Sequence, residues 1–232
     1  MEQTQAQPAT DRSGEGEVDQ SKLEFLDRLK PLVIKENRRL QALRTEVTKL
    51  IQRLDKGETL PKKARRRLLS LAKQYRVDGN PIEQEEAQVD LLDRIDIIPL
   101  SLALAQAATE SAWGQSRFAR EGNNLFGIWT YDESQGLVPK QRAKGKTHLV
   151  RKFETLDDSL RYYMHTLNSH PAYAELRRIR SEKRRAGIEP QGTELAEGLE
   201  KYSAKGKKYI ELIQRVIQQN DLALLDGVNS QA

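Results

Sequence analysis

The chain is 232 residues long, with 39 Lys and Arg against 34 Asp and Glu, a formal net charge of +5. It has no cysteine, which excludes disulfides, thiolate metal sites and a cysteine nucleophile. No run approaches the roughly 18 consecutive apolar residues of a membrane-spanning helix, and the length suits one or two domains with a substantial core.

Residues 1–20 are polar, without hydrophobic periodicity, and hold five acids (Glu2, Asp11, Glu15, Glu17, Asp19) against one base, Arg12. They predict a disordered tail. No basic segment leads into an apolar one, so they do not read as a signal peptide. From Ser21 an apolar stripe (Leu23, Leu26, Leu29, then Leu40, Leu43, Val47, Leu50, Leu54) runs at helical spacing, and Pro31 predicts a kink or a new start. Without a sustained heptad, the stripe is expected to pack on its own domain rather than form a coiled-coil seam. Lys62–Val77 and Glu83–Ile97 read as further helices separated by the break at Asp78-Gly79-Asn80-Pro81. The region 21–98 is thus expected to be helical and packed on the main domain, taken as 99–221.

Pro99 opens the next helix, expected to run from Leu100 to about Glu121, whose Ala-rich stretch 103–108 lets neighbours approach closely and marks it as the centre of the core. The period then changes. Segments 125–131, 137–138 and 148–153 are short extended candidates separated by Gly136 and Gly145, predicting a small β-hairpin lobe. Thr155 to Asp158 has the form of a capping box ahead of a helix over 158–168. A strongly basic segment over 173–186 and helices over 193–202 and 207–221 complete the domain, with 222–232 read as a C-terminal tail.

The three histidines, His148, His165 and His170, lack metal-motif spacing, and no H-E-x-x-H, nucleophile elbow, Walker loop or dinucleotide fingerprint is present. No metal or cofactor is expected. One carboxylate stands out. Glu110 closes the apolar run 100–109 and precedes Trp113, which could wall it from water. Desolvation raises a carboxyl pKa and suits it to general-acid work near neutrality; a plain surface Glu is the alternative. Trp113, Phe118, Phe126, Trp129 and Tyr131 cluster nearby. Phe118 and Phe126 are expected in the core, Trp129 and Tyr131 as exposed stacking faces for sugar rings, and Asn123 and Asn124 as amides for N-acetyl or hydroxyl groups. The basic run 177–185 invites a nucleic-acid reading, but Glu182 interrupts it and no nucleic-acid-binding signature accompanies it. A solvated helix face, or attraction to an anionic envelope, is the expectation.

Two stretches, 108–119 (ATESAWGQSRFA) and 123–129 (NNLFGIW), resemble the glucosaminidase domain of glycoside hydrolase family 73. The segments 136–142 and 168–173 look closest to its bacterial Bax-type branch. The resemblance extends over roughly 21–221 and implies a mainly helical, lysozyme-like fold with a small β-lobe. It also implies cleavage of the β-1,4 bond following N-acetylglucosamine in peptidoglycan, hence a place in the periplasm or cell envelope. Matching residue by residue puts the catalytic acid on Glu110; the aromatic and amide cluster beside it, Trp113, Asn123, Asn124, Phe126, Trp129 and Tyr131, is taken as the candidate substrate-binding set. Tyr202 matches a tyrosine that the family places near its cleft; structural packing is the other reading of it. A second carboxylate is sought on the β-lobe at Asp132 or, preferentially, Glu133, since Leu149 occupies another position where some relatives carry Glu. Glu121 lies about 16 Å beyond Glu110 if the helix is continuous. Attack by the substrate's own 2-acetamido oxygen needs no second carboxylate. A non-catalytic glycan-binding or scaffold protein on the same fold is the rival reading.

Overall fold

The computed structural model describes residues 13–139 and 147–230. The fold is mainly helical with one small antiparallel sheet. Helix α1 (Ser13–Asp55) runs unbroken through Pro31. The helical backbone includes residues 13–20, which the composition assigns to a disordered tail. Residues 1–12 lie outside the described residues. Two buried clusters share α1. Its first half supplies Leu29, Val33 and Leu40 to the main core, and its second half supplies Leu43, Val47 and Ile51 to a smaller one. The smaller cluster is completed by α2 (Lys62–Gln74) and α3 (Glu85–Arg94), through Leu68, Leu71, Tyr75 and Leu91.

Helix α4 (Leu100–Ser111) is buried on every side from Leu100 to Ala108, as its alanine-rich sequence requires. It is enclosed by α1, α6 (Leu156–Ser169), α8 (Gly192–Leu195) and α9 (Lys207–Gln219), whose apolar faces meet it in one core. Pro99 offers no capping side chain, and the cap arrives from the far end of the chain. The Asp226 carboxylate accepts from Ser101 N (2.8 Å), Ser101 Oγ (2.6 Å) and Gly192 N (2.9 Å). The segment expected to be a loose tail is therefore docked over most of its length: Leu222–Ser230 forms a 3₁₀ helix with Leu222 and Asp226 buried.

The expected helix to Glu121 is two helices. α4 stops at Ser111, and α5 (Arg117–Gly122) follows a left-handed turn. The expected hairpin is a three-stranded sheet ordered β1 (Trp129–Thr130), β3 (Leu149–Arg151), β2 (Gly136–Leu137), in which β3 is central; Trp129 pairs with Val150 and Leu137 with the same residue on the other side. Segment 125–128 is loop because its backbone N–H groups bond to Asn124 rather than to a strand. Thr155 caps α6 as predicted, accepting from Asp158 N at 3.2 Å.

The basic segment is α7 (Ala174–Arg185), and only one side of it is the expected solvated face, carrying Arg178, Glu182 and Arg185, while Arg177 and Arg180 are buried. Arg180 is only 1% exposed and donates to the carbonyls of Ile97 (2.8 Å) and Asp93 (2.8 Å) and to Asn168 Oδ1 (2.7 Å). Arg177 donates to the carbonyls of Leu167 and His170. Buried Asp96 stands among Arg184 (3.1 Å), Arg44 (3.8 Å) and Arg180 (3.9 Å), so one carboxylate joins α1, the α3–α4 link and α7. The cations are there to satisfy buried carbonyls and carboxylates.

Burial opposes ionisation of Asp96, but the charges of Arg180, Arg44 and Arg184 outweigh it and hold the carboxyl below its ordinary value of 3.8. A depressed carboxyl stabilises the fold above that ordinary value and loses its contribution as pH falls through the folded one. Asp96→Asn should cost about 3–5 kcal/mol at pH 7, and in denaturant titrations the gap from wild type should shrink progressively as pH falls below about 4. Asp226→Ala should cost about 1–3 kcal/mol through unpaired helix-terminal donors, read as a lowered denaturation midpoint.

Candidate active site

Glu110 is the penultimate residue of α4. Ala112 (φ 51°), Trp113 (φ 56°) and Gly114 (φ 78°) then follow in left-handed conformation, a region that residues with side chains enter rarely and at a cost of about 1–3 kcal/mol each. Ser111 holds the turn. Its Oγ donates to the Ala107 carbonyl (2.6 Å) and accepts from Gly114 N (2.7 Å), while Trp113 N donates to the Ala108 carbonyl. The chain thus turns away within two residues of Glu110 and leaves its carboxyl at the end of a buried helix.

A hydrogen-bonded chain through the core fixes that carboxyl. The Tyr163 hydroxyl donates to Gln106 Oε1 (2.7 Å), and Gln106 Nε2 donates to the Tyr209 hydroxyl oxygen (3.0 Å). Tyr209, whose oxygen accepts from Gln106, stands near Glu110 and, as a hydrogen-bond donor, favours its charged form. On the other side, Gly127 (φ 64°) lies so close that a Cβ would stand 3.1 Å from Glu110 Oε2, so a side chain there would press on the carboxyl. Burial pushes the Glu110 carboxyl above its ordinary value; the Tyr209 hydrogen bond and the Lys205 charge offset only part of this. Burial likewise raises the phenols of Tyr202, Tyr209 and Tyr173, the last to about 12, with the Glu110 charge contributing to each. These phenols are therefore neutral hydrogen-bonding groups at physiological pH.

Glu110 lines a cleft of about 1000 Å³. Loop residues Phe126 to Ile128 and Trp129 form one wall, α6 a second through Tyr162, Tyr163 and Thr166, and Tyr202 to Ala204 a third. Phe126 is buried, stacked on Tyr163 at 3.9 Å and 6°, and forms part of the lining. Trp129 is 60% exposed and stacked on His148 at 4.2 Å, which presents its indole face to the cleft rim. Tyr202 donates to the Phe126 carbonyl (2.9 Å) and stacks on Tyr209. Its hydroxyl proton is engaged, and its oxygen remains an acceptor.

Other expected site residues lie elsewhere. Trp113 does not wall off Glu110. The left-handed turn carries it to the opposite side, edge-on to Phe25 (5.9 Å) with Lys22 over its ring. Both asparagine amides face inward. Asn123, the left-handed cap of α5, donates to the carbonyls of Phe153 and Glu154. Asn124 is buried and donates to Ile128 and Arg151 carbonyls while accepting from Phe126 N and Ile128 N. They shape the loop that carries Phe126 and Gly127 and present no amide to a ligand. Phe118 is half-buried under the Arg117 guanidinium rather than in the core. Glu133 and Tyr131 are exposed and line a separate groove with Val138 and Thr147, so the structure does not bring Glu133 to Glu110. Asp132 caps its own 3₁₀ turn through Ser134. Glu121 sits in α5, exposed beside Arg117 (3.8 Å). Among the described residues Glu110 is the one carboxylate lining the cleft. The part of the 136–142 segment beyond residue 139 lies outside the described residues.

A half-buried acid in an aromatic-walled cleft of a helical domain is a site suited to cleaving glycosidic bonds. Residues 85–222 match the glucosaminidase family, described as mannosyl-glycoprotein endo-β-N-acetylglucosaminidase, and the chain belongs to that family of glycoside hydrolases. It is 34% identical over 196 residues to Protein bax of Escherichia coli (strain K12), covering 84% of this chain and 68% of that one. Among solved structures, the catalytic domain of the autolysin Auto from Listeria monocytogenes aligns with 95% of this chain and 100% of its own, at 14% identity and a TM-score of 0.48.

Tyr209→Phe removes the donor to the charged form of Glu110 and should raise that carboxyl further. Carbon-detected NMR titration of labelled glutamate should show the Glu110 transition displaced to higher pH, with the fold retained.

Proposed function

We propose that this chain is a peptidoglycan hydrolase that cleaves the β-1,4 bond following N-acetylglucosamine, with Glu110 as general acid. The observation that carries this reading is the Glu110 carboxyl itself, half-buried in the cleft, anchored on one side by Tyr209 and holding its proton above the ordinary carboxyl range. A glycan strand in the cleft would stack a sugar face on Trp129, and the Tyr202 oxygen would accept from the substrate or a water molecule. Glu110 protonates the leaving glycosidic oxygen as the C1–O bond breaks.

With Glu110 the one carboxylate in the cleft among the described residues, we take the nucleophile to be the 2-acetamido oxygen of the substrate, a known exception to the two-carboxylate rule. That oxygen bonds to C1 as the aglycone departs. Water then attacks C1, gives its proton to Glu110 and restores the acetamide with net retention. A peptidoglycan substrate would require the protein to work in the periplasm or cell envelope.

Glu110→Gln should lower the release of reducing ends from purified sacculi by about 10²–10⁴-fold while the thermal transition stays close to wild type; digestion at the native rate would overturn the assignment. A general acid works only while protonated, so activity should fall as pH rises through the elevated Glu110 value, with the basic limb above the ordinary 4.5 of a glutamate. Mass spectrometry of borohydride-reduced muropeptides should show new ends of reduced N-acetylglucosamine, and proton NMR of fresh product should show the β-anomer first. Binding of sacculi without new reducing ends would instead support a non-catalytic glycan-binding protein, a reading favoured by the single carboxylate.

A further inference from the structure

The cleft extends past the region needed for bond cleavage. Helix α6 lines it lengthwise, from Tyr162 beside the sheet to Ser169, about 10 Å along the axis. At the Ser169 end the lining includes His165, His170 and Arg76. Arg76 belongs to the turn after α2, outside the family-matched residues 85–222.

The turn fixes the backbone at Arg76. Arg76 N donates to the Lys73 carbonyl and Val77 N to the Ala72 carbonyl, which puts Arg76 at the left-handed position of a Schellman ending, with φ 57°. Glycine ordinarily stands there, because a side chain costs energy in that conformation. The turn is also tied to the cleft wall. Buried Tyr75 packs edge-on to His165 at 5.0 Å, and Arg94 Nη1 bridges the carbonyls of Tyr75 (3.2 Å) and Ser169 (2.9 Å). Among the described residues no carboxylate pairs with Arg76, unlike Arg94 with Asp90 or Arg67 with Glu46. His165 and His170 stay neutral near pH 7, depressed by burial and then by the Arg76 charge. His170 Nδ1 accepts from Ala172 N, which leaves its Nε2–H as a donor on the same stretch of the cleft lining as Arg76. An exposed cation with no carboxylate partner and a neutral donor lining one end of the cleft form a carboxylate-recognising pair.

We propose that Arg76, assisted by His170, is a subsite for a carboxylate carried by the glycan strand, so that the helices preceding the family-matched region select peptide-substituted strands over neutral ones. This rests on the peptidoglycan reading above. The carboxylate has two sources, the peptide stem or the bare lactyl group of muramic acid, and the proposal commits to the peptide.

The test compares wild type with Arg76→Gly and Arg76→Lys on peptide-bearing glycan strands, on strands stripped of peptide by an amidase, and on neutral β-1,4 oligomers of N-acetylglucosamine. Glycine suits the left-handed position, so that variant should fold with equal or greater thermal stability. For Arg76→Gly the ratio of kcat/KM on peptide-bearing strands to that on neutral oligomers should fall about 10- to 100-fold, mainly through KM, with Arg76→Lys recovering part of it. A loss confined to peptide-bearing strands supports the proposal. An equal loss on stripped strands moves the carboxylate to the lactyl group and overturns the peptide assignment, and an unchanged ratio overturns the subsite. Should wild type hydrolyse none of the three, the catalytic reading fails by itself. The subsite is then judged by equilibrium binding of the same ligands, where Arg76→Gly should weaken peptide-bearing strands alone.

Discussion

The constraint on which the rest depends is that α4 has no face in water from Leu100 to Ala108. An apolar helix can be enclosed without penalty, but a polar side chain on it must find a partner inside the protein or destabilise the fold. Ser101, Gln106 and Ser111 are all fully buried on α4, and each is paired. Asp226 meets Ser101 and the helix start, the phenols of Tyr163 and Tyr209 meet Gln106, and Ser111 bonds to its own helix and the turn beyond. Glu110 stands where this enclosure ends. It inherits the low-polarity surroundings of the core while one side opens on the cleft, a position that favours a proton held and then released.

Much of the fold was legible in the sequence, because periodicity is local. The alanine-rich run identified the central helix, Thr155 its neighbour's cap, and the change of period after residue 124 the small sheet. Glu110 was legible for a similar reason, as a carboxylate following ten largely apolar residues. What surrounds it was not. Gln106 lies 57 residues from Tyr163 and 103 from Tyr209, and nothing within either stretch announces the other. Their only sequence trace is that Gln106 is a lone polar residue within the apolar run 102–108.

The misplaced residues share a physical cause, which is that composition identifies a group but not its direction. Trp113 was expected to shield Glu110 on the assumption that the helix continues; left-handed Ala112 and Trp113, neither a residue that advertises such a conformation, send the indole the other way. Asn123 and Asn124 were expected to offer amides to a ligand, yet an irregular loop next to a cleft has backbone groups that need partners first. The arginines of α7 looked like a solvated surface because their count is high, whereas Arg180 and Arg184 turn inward to carbonyls and a carboxylate from residues more than eighty positions earlier.

Helix α1 enters both hydrophobic clusters, and this carries cooperative folding beyond the segment that the family model matches. That match begins at residue 85, while the likeness to Protein bax spans 84% of the chain, and Leu29, Val33 and Leu40 complete the core around α4, with Asn37 exchanging two hydrogen bonds with the backbone of Ile98 just ahead of it. A fragment cut at residue 85 would keep Glu110 and most of the cleft lining yet lose an entire flank of the interior, together with the turn that carries Arg76. The long first helix is thus the strut against which the central helix, and with it Glu110, is aligned.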